Sequence, residues 1–141
     1  MNILIMLLAI LAGVFTTFEA SINAQLGKVL TPSVATLHSL IVGLIFMLLI
    51  NIMTGNITRY AKVVTVNPIW LIGGFFGASI IYLATRTIPE LGISNTLILI
   101  LSGQMVSGML VDAFVNEVEF SVKKVTGLVL FLIGAIIYLK E

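Results

Sequence analysis

Five apolar runs separated by short polar connections constrain this chain more than any other feature. A membrane-spanning helix needs about 20 consecutive, mostly apolar residues. Runs at residues 3–26, 34–52, 69–85, 93–114 and 125–139 meet or approach that length. The connections at 27–33, 55–68 and 116–124 leave no room for a domain outside the bilayer. Composition agrees: of 141 residues 60% are hydrophobic and 9% are charged, against about 25% charged in a soluble domain. Transmembrane β-strands alternate apolar and polar residues, and these runs do not alternate. The expectation is an all-α integral membrane protein with one five-helix transmembrane domain over residues 1–141.

Composition also narrows the chemistry. Cysteine is absent and there is one histidine. That removes disulfides, thiol nucleophiles and zinc–thiolate sites; no metal or other cofactor is expected. The net charge is +1 and no basic stretch follows a phosphate backbone, so nucleic acid is not an expected partner. No basic residue precedes the first apolar run, which is too long for a cleaved signal segment. It is read as a retained first helix. With no histidine cluster, thiol or clear acid–base pair, an enzyme is not expected.

The helix ends are partly legible. Pro32 and Pro68 suit a first helical turn, where the missing N–H removes no bond. Thr31 and Asn67 precede them as N-caps. Pro89-Glu90-Leu91-Gly92 reads as the connection into the fourth helix, which Ser94 or Asn95 could cap. Trp70, Tyr60 and Tyr138 suit the interfacial belts.

Against this background Glu19 is the outstanding residue. It lies inside the first run, ~6 Å past a midpoint taken at Phe15. Charged groups inside a span are expensive and mark pathways or binding sites. At helical spacing Thr16, Glu19 and Asn23 form one line. A stripe of small residues, Gly13, Thr17, Ala20, Ala24 and Gly27, runs beside it and would let another helix approach closely. Three readings of Glu19 stand open. It is a protonated acid hydrogen-bonded to a neighbouring helix, or half of an internal ion pair with Arg86 or His38, or a carboxyl group that binds substrate or protons in a cavity. Desolvation favours the neutral form of a carboxyl group, which is how buried acids come to exchange protons near neutral pH.

Other spans add candidates. In the fourth, Gln104, Gly108 and Asp112 share a face with Ser107 beside it, and Gln104 is close to mid-span, where a carboxamide needs a partner or water. In the third, Ser79, Tyr82 and Arg86 share a line, and Gly73, Gly74, Gly77 and Ala78 form a second surface for close contact. Arg86 reads as an arginine reaching for the membrane edge, His38 as a neutral imidazole on a backbone carbonyl, and Asp112 as an interfacial or capping acid. Gly127 and Gly134 mark the fifth as scaffold. The candidate substrate- or proton-binding set is Glu19, Asn23, Gln104, Thr16 and Ser107, with His38, Arg86, Tyr82 and Asp112 secondary.

Five spans put the termini on opposite sides. The side of the N-terminus holds Arg59, Lys62, Lys123 and Lys124; the other holds Lys28, Arg86 and Lys140. Orientation follows the excess of Lys and Arg in cytoplasmic loops, and four against three is almost no excess. Either another feature sets the orientation, or copies insert both ways and pair antiparallel, which reproduces the inverted repeats of alternating-access transporters.

The stretch Glu19-Ala20-Ser21-Ile22-Asn23-Ala24-Gln25-Leu26-Gly27 and the fourth-helix stretch Ser102-Gly103-Gln104-Met105-Val106-Ser107-Gly108-Met109-Leu110-Val111-Asp112-Ala113-Phe114 carry a resemblance. With the five-helix layout and Pro89-Glu90-Leu91-Gly92, they resemble the YdcZ-like family of bacterial inner-membrane proteins, in the drug/metabolite transporter superfamily. The likeness implies a ten-helix transporter built from two inverted five-helix units, here an antiparallel homodimer of dual topology, moving a small molecule across the inner membrane. It implies no particular substrate. The competing expectation is a non-transporting assembly or regulatory subunit, whose buried polar residues pair with a partner protein.

Overall fold

The computed structural model describes residues 2–115 and 121–140. Five α-helices run along the chain: α1 Ile3–Val29, α2 Pro32–Met53, α3 Gly73–Leu91, α4 Ile93–Phe114 and α5 Val122–Leu139. Two 3-10 segments, Asn56–Thr65 and Pro68–Ile72, join α2 to α3. Among the described residues, five helical segments are long and apolar enough to cross a membrane, the third comprising Pro68–Leu91. The chain divides into two compact units, Met1–Glu90 and Leu91–Glu141. In the first, α1 packs against α2; in the second, α4 packs against α5.

Capping follows the local sequence in the first unit. Asn2 accepts from the Leu4 amide at 3.0 Å, Thr31 from the Val34 amide at 3.3 Å and Asn67 from the Ile69 amide at 3.1 Å. Pro32 occupies the first turn of α2. Pro68 opens a 3-10 turn rather than α3 itself.

Several ends differ from expectation. The helix α3 runs past Thr85, through Pro89, to Leu91. In its last turn Pro89 forfeits one hydrogen bond, while Ile88 beside it is buried. The turn into α4 falls to Gly92 alone, whose φ of 81° is a left-handed conformation open to glycine without strain. Ser94 and Asn95 therefore lie inside α4, and neither caps it. The 55–68 connection is mostly 3-10 helix. The 116–124 connection falls largely outside the described residues; its Lys123 and Lys124 lie in the first turn of α5.

The packing of the first unit is confined to one end. Ala20, Asn23 and Ala24 of α1, Ala35 and Thr36 of α2, and Ala84, Thr85 and Ile88 of α3 are buried. Phe15 and Phe18 are each 62% exposed. The pattern has a physical cause. Lipid tails are as apolar as leucine, so a large aliphatic side chain gains little by leaving them for protein. Close backbone approach and polar pairing gain more, and both favour small residues.

Gly27 is the tightest point. A Cβ there would stand 2.7 Å from the Thr85 methyl group, and Thr85 is 1% exposed. The remaining glycines have no such neighbour: a Cβ at Gly13, Gly73, Gly74 or Gly77 meets nothing within 4 Å. The expected close-contact surface of the third span is therefore not used within this unit, and the small stripe of α1 acts through its C-terminal end. Gly27→Ala is expected to destabilise the folded protein by about 1–3 kcal/mol, the usual penalty of overpacking. Gly13→Ala serves as the silent control, and thermal unfolding in detergent reads both.

A polar cluster at mid-bilayer depth

The α1–α2 connection is only Leu30 and Thr31, so the helices run antiparallel and heights can be counted from that turn. Asn23 precedes the end of α1 by six residues and Ser39 follows the start of α2 by seven. The two lie at one level, ~10 Å inside the span at 1.5 Å per residue. Glu19, a turn further on, lies ~15 Å inside, about half the ~30 Å hydrocarbon thickness.

Side chains join across this level. Asn23 Nδ2 donates to Ser39 Oγ at 3.2 Å. Ser39 Oγ in turn donates to Glu19 Oε1 at 3.4 Å. The three groups form a chain of hydrogen bonds ending on the carboxyl group. Asn23 is buried, Ser39 half-buried and Glu19 exposed on the hairpin. Asn23 thus anchors the chain in the packed seam, while the carboxyl group stays accessible from outside the hairpin. Such chains strengthen as each bond polarises the next.

The open readings of Glu19 now narrow. Among the described residues, Glu19 makes no ion pair with Arg86 or His38; its partner is the Ser39 hydroxyl. Arg86 and His38 are both exposed, and Tyr82 is half-buried. Thr16, expected on the same line, turns its hydroxyl onto its own helix and donates to the Ala12 carbonyl at 2.9 Å. Its oxygen keeps acceptor capacity only.

The second unit holds the other candidates. Gln104 and Ser107 are exposed on α4. Ser107 donates to the Gly103 carbonyl at 2.7 Å. Within its own unit the Gln104 carboxamide makes no hydrogen bond to a described residue. An unsatisfied carboxamide at mid-span requires water, ligand or protein, since hydrocarbon offers it nothing. Asp112 is exposed near the C-terminal end of α4.

Ser39 is the residue that reading the spans one by one overlooks. Serine in an apolar span usually bonds its own helix, as Ser79 does with the Phe75 carbonyl at 2.8 Å, so it carries little signal alone. The usable signal is the short turn: folding the sequence back at Thr31-Pro32 lays Ser39 against Asn23. Ser39→Ala is expected to lower stability by about 1 kcal/mol, in the range of intramembrane side-chain hydrogen bonds. Thermal unfolding in detergent, compared with wild type, checks this.

Five apolar spans, the first carrying a carboxyl group hydrogen-bonded across the α1–α2 hairpin, define a small multi-pass membrane protein. Residues 4–137 match the family model DMT_YdcZ, described as "Putative inner membrane exporter, YdcZ". The chain belongs to that family, and is a multi-pass transporter of the inner membrane rather than an enzyme. Curated proteins and solved structures returned no match.

Proposed function

We propose that this exporter is a secondary transporter that works by alternating access as an antiparallel homodimer, its residues 1–141 acting as one transmembrane domain per copy. The observation that carries the proposal is Glu19: a carboxyl group at mid-bilayer depth, held by Ser39 and exposed on its hairpin. Hydrocarbon is the one environment such a group cannot face. In the proposed dimer two copies of Glu19 line a shared cavity with Asn23, Gln104, Thr16 and Ser107. Each carboxyl group holds either a proton or a small cationic or polar substrate. Competition between the two couples their movements, provided that their affinities differ between the inward- and outward-open states.

The near balance of four basic residues against three supports insertion in both orientations. Antiparallel pairing then yields the inverted repeat of a ten-helix transporter from one sequence. In the test, one reporter active only in the cytoplasm and another active only outside are fused after Glu141. Both are expected to be active. Activity from one alone removes dual topology, and with it the antiparallel homodimer.

A further inference from the structure

A groove that Glu19 does not line lies where the C-terminal half of α2 meets the 3-10 helix Asn56–Thr65. Its volume is about 700 Å³, within the ordinary range for a ligand site. The wall is apolar and belongs to the span: Leu44, Met47 and Leu48. The rim is polar: Asn51, Asn56, Arg59 and Tyr60. Leu44 precedes the end of α2 at Met53 by nine residues, so the groove runs ~14 Å from the membrane edge into the hydrocarbon layer.

The rim is held by local bonds. Gly55, at φ 71°, turns the chain back over the end of α2. Asn56 Nδ2 donates to Thr54 Oγ1 at 3.1 Å, and Thr54 Oγ1 donates to the Ile50 carbonyl at 2.8 Å. Asn51 Nδ2 donates to the Met47 carbonyl at 2.8 Å. This leaves the Asn51 carbonyl oxygen and its second N–H for an occupant.

Charge selects that occupant. No Asp or Glu occurs between Glu19 and Glu90. Arg59 and Lys62 are the charges of the 55–68 connection, and among the described residues Arg59 makes no ion pair. A guanidinium group presents a planar fork that matches phosphate oxygens in pairs. Set at the rim of an apolar groove that opens to the bilayer, it faces a molecule with an anionic head and a hydrocarbon tail. We infer that this groove holds an anionic phospholipid: phosphate on Arg59, head-group hydroxyls at Asn51 and Asn56, and the upper acyl chain along Leu44, Met47 and Leu48. Tyr60 sits at head-group level, where interfacial aromatic residues collect.

The test uses the full-length protein in nanodiscs of equal parts phosphatidylglycerol and phosphatidylcholine. Lipid retained after gentle release is counted by native mass spectrometry. Wild type is expected to retain phosphatidylglycerol in preference. Arg59→Gln, a change at an exposed position, is expected to lower that retention about fivefold, the effect of one basic residue at an anionic surface. Met47→Trp fills the apolar wall and is expected to lower it while Arg59 remains. A monodisperse, helical Arg59→Gln protein keeps the test valid if Met47→Trp does not fold. Glycerol 1-phosphate supplies the discriminating arm. If it stabilises the protein against heat as well as phosphatidylglycerol does, the site is for a soluble anion and the inference falls. It falls equally if Arg59→Gln retains phosphatidylglycerol at the wild-type level.

Discussion

Glu19→Gln is expected to abolish proton-driven export in proteoliposomes while leaving a folded protein of unchanged oligomeric state. The exchange is close to isosteric. The Gln carbonyl oxygen can still accept from Ser39 Oγ, as Glu19 Oε1 does at 3.4 Å, so the bonds across the hairpin survive. What is lost is the capacity to gain or release a proton and to carry charge. Under the proposed mechanism, a pH gradient then drives no substrate and substrate drives no proton movement. Passive exchange of a neutral polar substrate through Asn23 and Gln104 would persist. Transport measured with and without an imposed pH gradient separates these outcomes. Wild-type coupling in Glu19→Gln would assign Glu19 to structure and leave the proton site elsewhere. Glu19→Ala is a poorer probe, because it strands Ser39 and Asn23 as well.

Locking the protein into one orientation is expected to remove transport, and mixing two locked forms to restore it. Lys28→Gln with Lys140→Gln leaves four basic residues on the N-terminal side against Arg86 alone. Lys123→Gln, Lys124→Gln and Glu90→Lys together leave Arg59 and Lys62 facing four on the other side. None of these positions belongs to the Glu19 cluster. Lys and Arg in short loops set orientation, so each variant should insert one way, as reporters at the C-terminus would read. Under the antiparallel proposal neither variant forms a working pair with itself, and co-expression rebuilds the dimer. Full activity from one locked variant expressed alone would show that a single orientation suffices.

The same physics separates what could be read from the sequence from what could not. Five helices were legible because the requirement for a span of ~20 apolar residues is one-dimensional; order along the chain satisfies it. The expected α4 run coincides with the helix Ile93–Phe114 for that reason. Helix ends were less legible. A proline reads as a break, yet Pro89 sits in the last turn of α3, where only one bond is forfeited, and burial of Ile88 holds the turn. The Asn56–Thr65 helix mixes polar and apolar residues with no long apolar run, so a span-length criterion does not detect it.

The candidate site divides in the same way. Glu19 and Asn23 stood out unaided, because a carboxyl and a carboxamide group in an apolar run violate the composition of a span. The sequence alone thus determined that this is a five-helix membrane protein with a carboxyl residue inside the apolar run of its first helix, since both follow from what hydrocarbon tolerates at each position. Only the tertiary structure decided that Glu19 bonds Ser39 rather than Arg86 or His38. It alone showed that Gly27, of all the small residues in the stripe, meets a buried neighbour at Thr85, and that Arg59 rims a groove on α2. Those outcomes depend on which faces of separate helices meet, and helical periodicity states which residues share a face without stating what that face touches.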